Sequence, residues 1–254
     1  MLQPQIIYKD ENFLVLNKPA GWLTHALRSN VKCQISNVVS DWLLENFPEV
    51  ETVGDKPEER PGIVHRLDKD TSGVLVVARK QKAFDYLKKL FQEHKVKKTY
   101  LALVYGEVNP PSPSDGGLRR AREGVINRPL GIISGSVKRT IHVGHARLVK
   151  EAVTKYKIKK VFEISPSTGS GPIKCSLLEV EPLTGRTHQI RVHLASIGHP
   201  VVGDKLYGPK APTIKLDRQF LHADSIEFTK PDGGRLKISA DLPEELRRVI
   251  RNYE

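Results

Sequence analysis

Two aspartates occur in a short turn-forming stretch whose surroundings could support chemistry. Asp68 and Asp70 stand in the segment HRLDKDTSG, where Arg66 and Lys69 supply positive charge. Positive charge nearby favours the ionised form of a carboxyl group. An ionised carboxylate on a tight turn can act as a nucleophile, a general base, a metal ligand or a structural cap. Charge alone does not separate the two aspartates, and Asp, Thr, Ser and Gly are also common turn residues.

The pair of aspartates fits several reaction classes. Paired carboxylates occur in glycoside-cleaving sites, and carboxylates also ligate divalent metals. The segment is superficially like a protein-kinase catalytic loop, but Leu67 intervenes, no Asn follows at the required distance and no Gly-rich phosphate loop precedes it. The kinase interpretation is therefore excluded, whereas glycoside chemistry and a metal site stay open at this point.

A second group of polar residues lies between residues 181 and 208. Arg186, His188, Arg191 and His193 occur within eight residues. On a helix, only one face of this group can address a ligand. Zinc binding is not favoured, because a spacing of five residues puts the two histidines on different faces and no third ligand follows at a familiar spacing. We therefore expect no metal site here, and expect an arginine that faces RNA or a carboxylate.

A third candidate is Tyr100, which follows Lys97 and Lys98 at the start of a strand-like stretch. An aromatic ring among cations suits the stacking of a base together with phosphate contacts. A tyrosine in the hydrophobic core is the alternative, and this stretch taken alone favours it.

Short strands and amphipathic helices must position these side chains. Period-two and β-branched patterns predict strands within 6–18, 74–78, 99–108, 152–165, 173–183, 221–228 and 235–239. Helical spacing predicts helices within 37–47, 81–94, 186–200 and after residue 243. In the third helix, Thr187 is the predicted cap and Gly198 the predicted end. Short turns join many strands, which predicts an α+β fold with a mixed, mainly antiparallel central sheet, flanking helices and a single domain over 1–254.

The composition narrows the class of protein. The 254 residues have 39% hydrophobic content and a net charge of +12, which indicates a globular protein with a polyanionic partner. No apolar run is long enough to cross a membrane, and the polar N-terminus is unlike a signal peptide. The only cysteines, Cys33 and Cys175, make no disulfide framework, so the expected compartment is a reducing cytoplasm. The loop 109–122, with three arginines, is either a phosphate-contacting loop or a solvated connector.

Four segments together resemble the RluA family of RNA pseudouridine synthases. They are NKPAGWLTH at 17–25, HRLDKDTSGVLVVAR at 65–79, KKTYLALVYGEV at 97–108 and GRTHQIRVHLASIGHPVVGDKLYG at 185–208. They stand in the family's order and spacing and cover the chain from about residue 8 to 228. The second and fourth segments are highly specific.

The resemblance implies a role for each candidate residue. It implies that Asp68 rather than Asp70 is the catalytic carboxylate, that Tyr100 contacts the target uracil, and that Arg191 pairs with the carboxylate. Arg66 is implied to fill the space left by a flipped nucleotide. The remaining residues assigned to RNA binding are His65, Lys98, Arg186 and His188. The implied activity is the isomerisation of uridine to pseudouridine in large-subunit ribosomal RNA or tRNA, without cofactor or metal.

Two features depart from the family's usual pattern. His25 is followed by Ala26 where relatives often have His-Pro, but this segment is not the catalytic one. Many relatives carry an S4 RNA-binding domain ahead of the first motif, and the few residues before Asn17 leave no room for one. RNA selection is then expected from the catalytic domain itself, acting as a monomer. A non-catalytic RNA-binding or ribosome-assembly protein, and a metal-dependent hydrolase that uses Asp68 and Asp70, are the competing interpretations.

Overall fold

The structure is a computed structural model of the chain, and it describes residues 2–25, 37–109, 122–164, 171–211 and 214–251. In chain order the strands are β1 (Gln5–Lys9), β2 (Phe13–Lys18), β3 (Ser72–Ala78), β4 (Lys97–Tyr105), β5 (Glu123–Asn127), β6 (Leu130–Ile132), β7 (Arg139–Thr140), β8 (Arg147–Lys150), β9 (Val153–Ile164), β10 (Ile173–Pro182), β11 (Leu221–Thr229) and β12 (Arg235–Ser239). The α-helices are α1 (Val39–Asn46), α2 (Gln81–Gln92), α3 (Gln189–Ser196) and α4 (Glu244–Arg251). The predicted strands and helices are therefore confirmed, with boundaries shifted by a few residues.

The chain divides into two compact units, each of which is discontinuous in sequence. Unit 1 comprises Met1–Lys98 and Ala223–Asp241, and unit 2 comprises Thr99–His222 and Leu242–Glu254. The α+β class with a mainly antiparallel sheet and accompanying helices is confirmed. That all 254 residues form a single domain stays a prediction.

The strand order of unit 1 is β1-β2-β3-β11, with β12 paired to β11. The pairings β1–β2, β2–β3 and β11–β12 are antiparallel. All seven residues of β3 are buried, as expected of a continuous apolar run covered on both faces. Phe84 and Leu87 of α2 belong to the same core as the edge-to-face pair Phe13 and Phe228, whose ring centroids are 5.4 Å apart.

Gly73, in β3, permits the close approach of β3 and β11. Its φ of +112° lies in the region that favours glycine, and a Cβ at this position would collide with the backbone carbonyl of Ala223. Gly73, which ends the Thr-Ser-Gly turn at 71–73, is therefore required by packing as well as by turn geometry.

Unit 2 contains the strand order β4-β10-β9-β5, and each of these pairings is antiparallel. A separate three-stranded sheet has the order β7-β6-β8. We call this the small sheet, and it comprises residues 128–150. The sequence patterns did not indicate strands between 123 and 150, because β5 to β8 are only two to five residues long.

The predicted N-cap of α3 is wrong. Helix α3 begins at Gln189, and the capping position is occupied by His188 rather than Thr187. His188 has a left-handed backbone with φ of +58° and makes no side-chain capping bond, so the turn that precedes α3 is set by other contacts. The predicted end at Gly198 is confirmed, because its φ of +86° lets the amide of His199 bond back to the carbonyl of Leu194 at 3.0 Å.

Candidate active site

In unit 1, the segment that carries Asp68 is fixed by a buried threonine. The hydroxyl of Thr24 donates to the carbonyl of Leu67 at 2.9 Å and accepts the amide of the same residue at 3.1 Å. Both residues are buried. Asp68 itself is half-buried, and its carbonyl accepts the amide of Thr71 at 3.1 Å. The backbone next to the carboxylate is thus bonded on both sides.

A buried lysine supports the other end of the same turn. The ammonium of Lys18 is fully buried and donates to the carbonyls of Lys69 at 3.1 Å, of Trp22 at 2.9 Å and of Pro19 at 2.9 Å. The carbonyl of Lys69 also accepts the amide of Gly21 at 2.9 Å. The NKPAGWLTH segment therefore fixes the backbone of the HRLDKDTSG segment through hydrogen bonds, which gives the first motif a structural role.

His65 is built into unit 1 as a neutral ring. Its Nε2 accepts the amide of Val76 at 3.0 Å, and its ring stacks on Phe91 with centroids 4.9 Å apart. Burial, followed by the charge of Lys98, lowers the pKa of His65 to about 3. The ring is therefore uncharged at physiological pH, and an RNA contact by His65 stays a prediction.

The two predicted RNA-binding cations of unit 1 have different surroundings. Arg66 is exposed, and its charge adds to burial in lowering the pKa of His25. Lys98 is half-buried, with its ammonium 5.9 Å from the centroid of the Phe91 ring. Arg66 thus presents its guanidinium to solvent two residues before Asp68, where a polyanion can reach it.

In unit 2, Tyr100 lies in β4 opposite Val180 of β10 and is 9% exposed. The antiparallel pairing of these strands fixes its backbone, so the position of its ring depends on a rigid element. Low exposure agrees with the core alternative as well as with a binding role. The uracil contact of Tyr100 stays a prediction.

The turn before α3 is organised by Gln189, which is buried. Its Oε1 accepts the hydroxyl of Thr184 at 2.6 Å and the amide of Arg186 at 3.0 Å. Its Nε2 donates to the carbonyl of Val153 and to the hydroxyl of Thr154, both at 3.0 Å. The side chain of Arg186 is exposed and donates from Nε to the carbonyl of Glu151 at 3.0 Å. One amide side chain therefore fixes the loop that presents Arg186.

Arg191 forms a buried, two-pronged ion pair with Asp204. Its Nε lies 2.7 Å from Oδ2 and its Nη2 lies 2.8 Å from Oδ1 of the carboxylate. Both side chains are almost fully buried. Burial by itself would raise the pKa of Asp204, but the Arg191 guanidinium and the amides of Leu206 and Tyr207 outweigh it and lower the pKa. This pair uses two of the five N–H donors of Arg191 and holds its plane fixed.

His188 and Tyr207 complete the surroundings of Arg191. The Nδ1 of His188 lies 2.9 Å from the hydroxyl of Tyr207, and the guanidinium carbon of Arg191 lies 5.2 Å from the centroid of the Tyr207 ring. Burial raises the pKa of Tyr207, against the lowering effect of the Arg139 amide and of Arg191. The structure thus gathers His188 and Arg191 around one tyrosine, whereas Arg186 lies on the exposed loop.

Sequence reasoning missed four residues that fix the candidate residues within their own units, namely Thr24 in unit 1 and Gln189, Asp204 and Tyr207 in unit 2. Asp204 and Tyr207 stood within the quoted motif VVGDKLYG, but an Asp next to a Gly signals a turn before it signals an ion pair. Their partners lie many residues away in the chain or on another element, so spacing alone could not indicate them. The pairing of Arg191 with Asp68 that the resemblance implies stays a prediction, as do the roles of Asp68 and of Asp70.

The remaining features considered in the sequence are a cysteine, a metal site, a membrane span and a basic loop. Burial raises the pKa of the Cys175 thiol to about 11, so this cysteine is a core residue rather than a nucleophile. Across the described ranges, no three His, Cys, Asp or Glu side chains are grouped as a metal ion would require. Within the part of the chain that the structure describes, no helix has the length and apolar character to cross a bilayer. Most of the predicted 109–122 loop, including Arg119 and Arg120, lies outside the described residues, and Arg122 is exposed.

Comparisons with known proteins agree on one family. The profile of the RNA pseudouridylate synthases matches residues 12–196. A protein of Nitrosomonas europaea named ribosomal large subunit pseudouridine synthase D is 35% identical over 97% of this chain. An uncharacterized RNA pseudouridine synthase of Chloroflexus aurantiacus is 38% identical over 94% of it. The chain spans only 64% and 66% of the lengths of these two relatives.

Solved structures agree with the sequence relatives. Human RNA pseudouridylate synthase domain containing 1 superposes with a TM-score of 0.68 and 26% identity, over 94% of this chain and 84% of that one. Human RNA pseudouridylate synthase domain containing 4, at 22% identity and a TM-score of 0.65 over 97% of this chain and 92% of that one, supports the fold alone. With its motifs, its fold and these relatives in agreement, the chain belongs to the RluA family of RNA pseudouridine synthases.

Proposed function

We propose that this protein is an RNA pseudouridine synthase that isomerises specific uridines in large-subunit ribosomal RNA. The observation that carries the proposal is the Asp68 segment, whose backbone is bonded on both sides in a chain of this family. Relatives from Nitrosomonas europaea and Vibrio parahaemolyticus are named ribosomal large subunit pseudouridine synthases D and C, which favours ribosomal RNA over tRNA. tRNA is the second substrate to test.

The target nucleotide must first leave its stack, which costs a few kcal/mol in a helix and less in a loop. Arg66, exposed beside Asp68, fills the vacated space and offsets part of that cost by contacts with neighbouring bases and phosphates. Lys98, Arg186 and His188 add contacts to the RNA. His65 acts chiefly by holding this segment against β3, through the amide of Val76.

Asp68 then acts at the ribose. It either attacks C1′ or removes the proton from C2′, and in both routes the N1–C1′ bond breaks. The uracil turns and a C5–C1′ bond forms, while the Asp68–C1′ bond of the first route breaks or C2′ of the second route regains its proton. C5 loses its proton and N1 gains one, so no atom or electron is supplied from outside. Tyr100 stacks on the uracil and assists removal of the C5 proton. The pairing of Arg191 with Asp68 is part of this proposal, and Asp204 holds Arg191 in a single orientation.

The test is tritium release from large-subunit ribosomal RNA labelled at uridine C5. We expect Asp68→Asn to reduce release to background while RNA affinity is kept, because the amide cannot act as a nucleophile or base. Asp70→Asn is the matched control and should retain release. Undiminished release by Asp68→Asn would refute the assignment, and loss in Asp70→Asn alone would transfer the role to Asp70.

A cellular experiment identifies the substrate. Pseudouridine positions in total RNA are mapped with and without this protein, and one or more sites in large-subunit ribosomal RNA should disappear. Loss of sites in tRNA alone would replace the proposed substrate. The monomeric state, the cytoplasmic location and the independence from a cofactor stay predictions.

A further inference from the structure

Positive charge is concentrated on the small sheet of unit 2. Residues 124–150 contain five Lys or Arg and no Asp or Glu. The five are Arg128, Lys138, Arg139, Arg147 and Lys150. All but Arg139 are exposed, and all four residues of β8 are exposed. A segment of this length with cations and no carboxylate produces a local positive potential.

Three lysines on other strands of unit 2 are different, because carboxylates neutralise them. Lys157 pairs with Glu123 at 2.9 Å, Lys159 with Glu179 at 3.3 Å and Lys174 with Glu107 at 2.6 Å. Among the described residues, none of the five cations of the small sheet forms an ion pair with a carboxylate. The small sheet therefore keeps its charge available to a partner.

The same segment also exposes aliphatic side chains. Of the nine large hydrophobic residues that are exposed in the described structure, five lie within residues 128–150, the small sheet. These are Ile133, Val137, Val143, Leu148 and Val149. No Phe, Trp or Tyr occurs between 124 and 150. Protein interfaces are typically enriched in aromatic residues and depleted of lysine, so this composition favours a polyanion whose sugars contact the aliphatic groups.

The small sheet is firmly mounted on helix α3. Leu130 of β6 packs with Val192 of α3, and Ile141 and Tyr207 pack against them. The amide of Arg139 donates to the hydroxyl of Tyr207 at 2.8 Å, the tyrosine that also contacts His188 and Arg191. An RNA contact made by the small sheet is thereby linked through Tyr207 to the predicted site residues of α3.

A second connection runs through His193. Burial lowers the pKa of His193, so its ring is neutral and its Nε2 donates to the carbonyl of Arg128 at 2.9 Å. Its Nδ1 then accepts the hydroxyl of Thr154 at 2.9 Å. The guanidinium of Arg128 donates to the carbonyl of Ser196 at 3.1 Å. Arg128, where the chain enters the small sheet, is thus bonded to α3 through both its backbone carbonyl and its guanidinium.

We infer that the small sheet is a second RNA-binding surface, which holds phosphates of the substrate RNA. This inference rests on the proposed function for the identity of the RNA, but not for the charge argument. With this surface, unit 2 by itself can bind a folded RNA. The RNA is recognised through its backbone, so the surface contributes affinity and orientation rather than base identity.

The experiment measures how affinity for large-subunit ribosomal RNA, transcribed in vitro, depends on salt. The test variant changes the exposed Lys138, Arg147 and Lys150 to Gln together. The matched control changes the ion-paired Lys157, Lys159 and Lys174 to Gln, which removes the same formal charge from the same unit. Each phosphate contact contributes about 0.7 to the slope of log affinity against log salt, so the test variant should lose about 2 units of slope and roughly tenfold or more in affinity. The control should keep the slope of the unchanged protein.

Each outcome decides the matter. An unchanged slope in the test variant, or equal losses in both triple variants, would overturn the inference. A loss of RNA affinity in Val137→Ser with Leu148→Ser, coupled to no effect of the charge changes, would also overturn it, because apolar contacts rather than phosphate attraction would then hold the RNA. Tritium release by the unchanged protein is measured in parallel. If it is absent for every RNA tested, the proposed function fails, while the affinity comparison still tests the surface.

Discussion

At the level of single residues, two buried charged groups, one in each unit, depend on partners that neutralise or orient them. Lys18 is surrounded by backbone carbonyls, and Asp204 is bonded by a guanidinium and two amides. Removing one member of a buried ion pair leaves the other charge buried without a partner. The resulting loss of stability is larger than the net stability that the intact pair gives relative to hydrophobic residues in its place. The identity of such residues is therefore tightly constrained even where they do not touch the substrate.

Asp204→Asn should lower the free energy of unfolding by about 3–5 kcal/mol at neutral pH, because it leaves Arg191 buried without its carboxylate. Urea denaturation measures this change. The exposed Asp217 supplies the control, and Asp217→Asn should change the free energy by less than about 0.5 kcal/mol. Equal effects of the two substitutions would show that the ion pair contributes nothing specific.

The same substitution predicts a pH dependence. The pKa of Asp204 is lowered on folding, so its ionisation stabilises the folded state above the unfolded value of about 4. That contribution is lost as the pH falls through the lower folded value. The difference in unfolding free energy between the unchanged protein and Asp204→Asn should therefore be constant from pH 8 to about pH 5 and shrink in stronger acid. A difference that grows in acid would contradict the direction of the shift.

Thr24 is a positioning residue for Asp68, and its hydroxyl can be removed alone. Thr24→Val deprives the buried amide and carbonyl of Leu67 of their partner, which should cost about 1–3 kcal/mol of stability. A carboxylate displaced by less than an ångström should lower turnover by about 10- to 100-fold, with RNA affinity kept. Thr24→Ser restores the hydroxyl and should rescue turnover. Failure of serine to rescue would mean that the methyl packing, and not the hydrogen bonds, is what matters.

At the level of elements, strand β3 connects the turn that carries Asp68 to the core of unit 1. The strand is buried along its whole length, and Gly73 at its start touches the backbone of β11. Side chains on the turn can thus be displayed in solvent while the strand behind them is immobile. Helix α3 serves unit 2 in the same way, with Gln189 at its start and the small sheet packed against it.

Gly73→Ala tests this packing, with Gly233→Ala as its control. Both glycines have positive φ, but a Cβ at Gly233 meets nothing within 4 Å, whereas at Gly73 it meets the Ala223 carbonyl. Gly233→Ala should cost about 1 kcal/mol from its backbone conformation alone. Gly73→Ala should cost at least about 2 kcal/mol more, since a packed strand must move. The stabilities of the two variants are measured by thermal or urea unfolding. Equal stabilities would contradict a close approach at Gly73.

At the level of the whole molecule, the surplus of positive charge lies almost entirely in one unit. Unit 1 contains 19 Lys and Arg against 17 Asp and Glu, whereas unit 2 contains 22 against 12. The net charges are therefore +2 and +10. Unit 2 is the part expected to dominate the salt-dependent attraction of RNA.

The division into units cuts through two strands, since β4 begins in unit 1 and β11 begins in unit 2. Because a strand cannot unfold over half its length without disrupting its pairs, we expect one cooperative unfolding transition. Trp22 and Trp42, the two tryptophans, both belong to unit 1, while far-ultraviolet circular dichroism reports on both units. The two signals should give the same urea midpoint. A separate fluorescence transition would show that the 254 residues are not a single domain.

Much of the fold and part of the site follow from the sequence. Continuous β-branched residues predicted β3, helical spacing predicted α2, and short turns predicted antiparallel pairing, because these features depend on neighbours along the chain. The short strands of the small sheet were not predictable, since two to four residues are too few to show an alternation between buried and exposed faces. The capping position of α3 was also missed, because its turn is set by Gln189 rather than by the hydroxyl of Thr187.

The sequence by itself determined the family and the order of the motifs, because the residue types and their order along the chain are encoded directly. Through that resemblance it predicted Asp68 as the catalytic carboxylate. Only the tertiary structure decided that Thr24 holds Leu67, that Asp204 pairs with Arg191, and that the cations of the small sheet lack carboxylates among the described residues. Hydrogen bonds, burial and ion pairing depend on distances in space. Residues 43 or 13 positions apart in the chain meet at such distances only after the chain has folded.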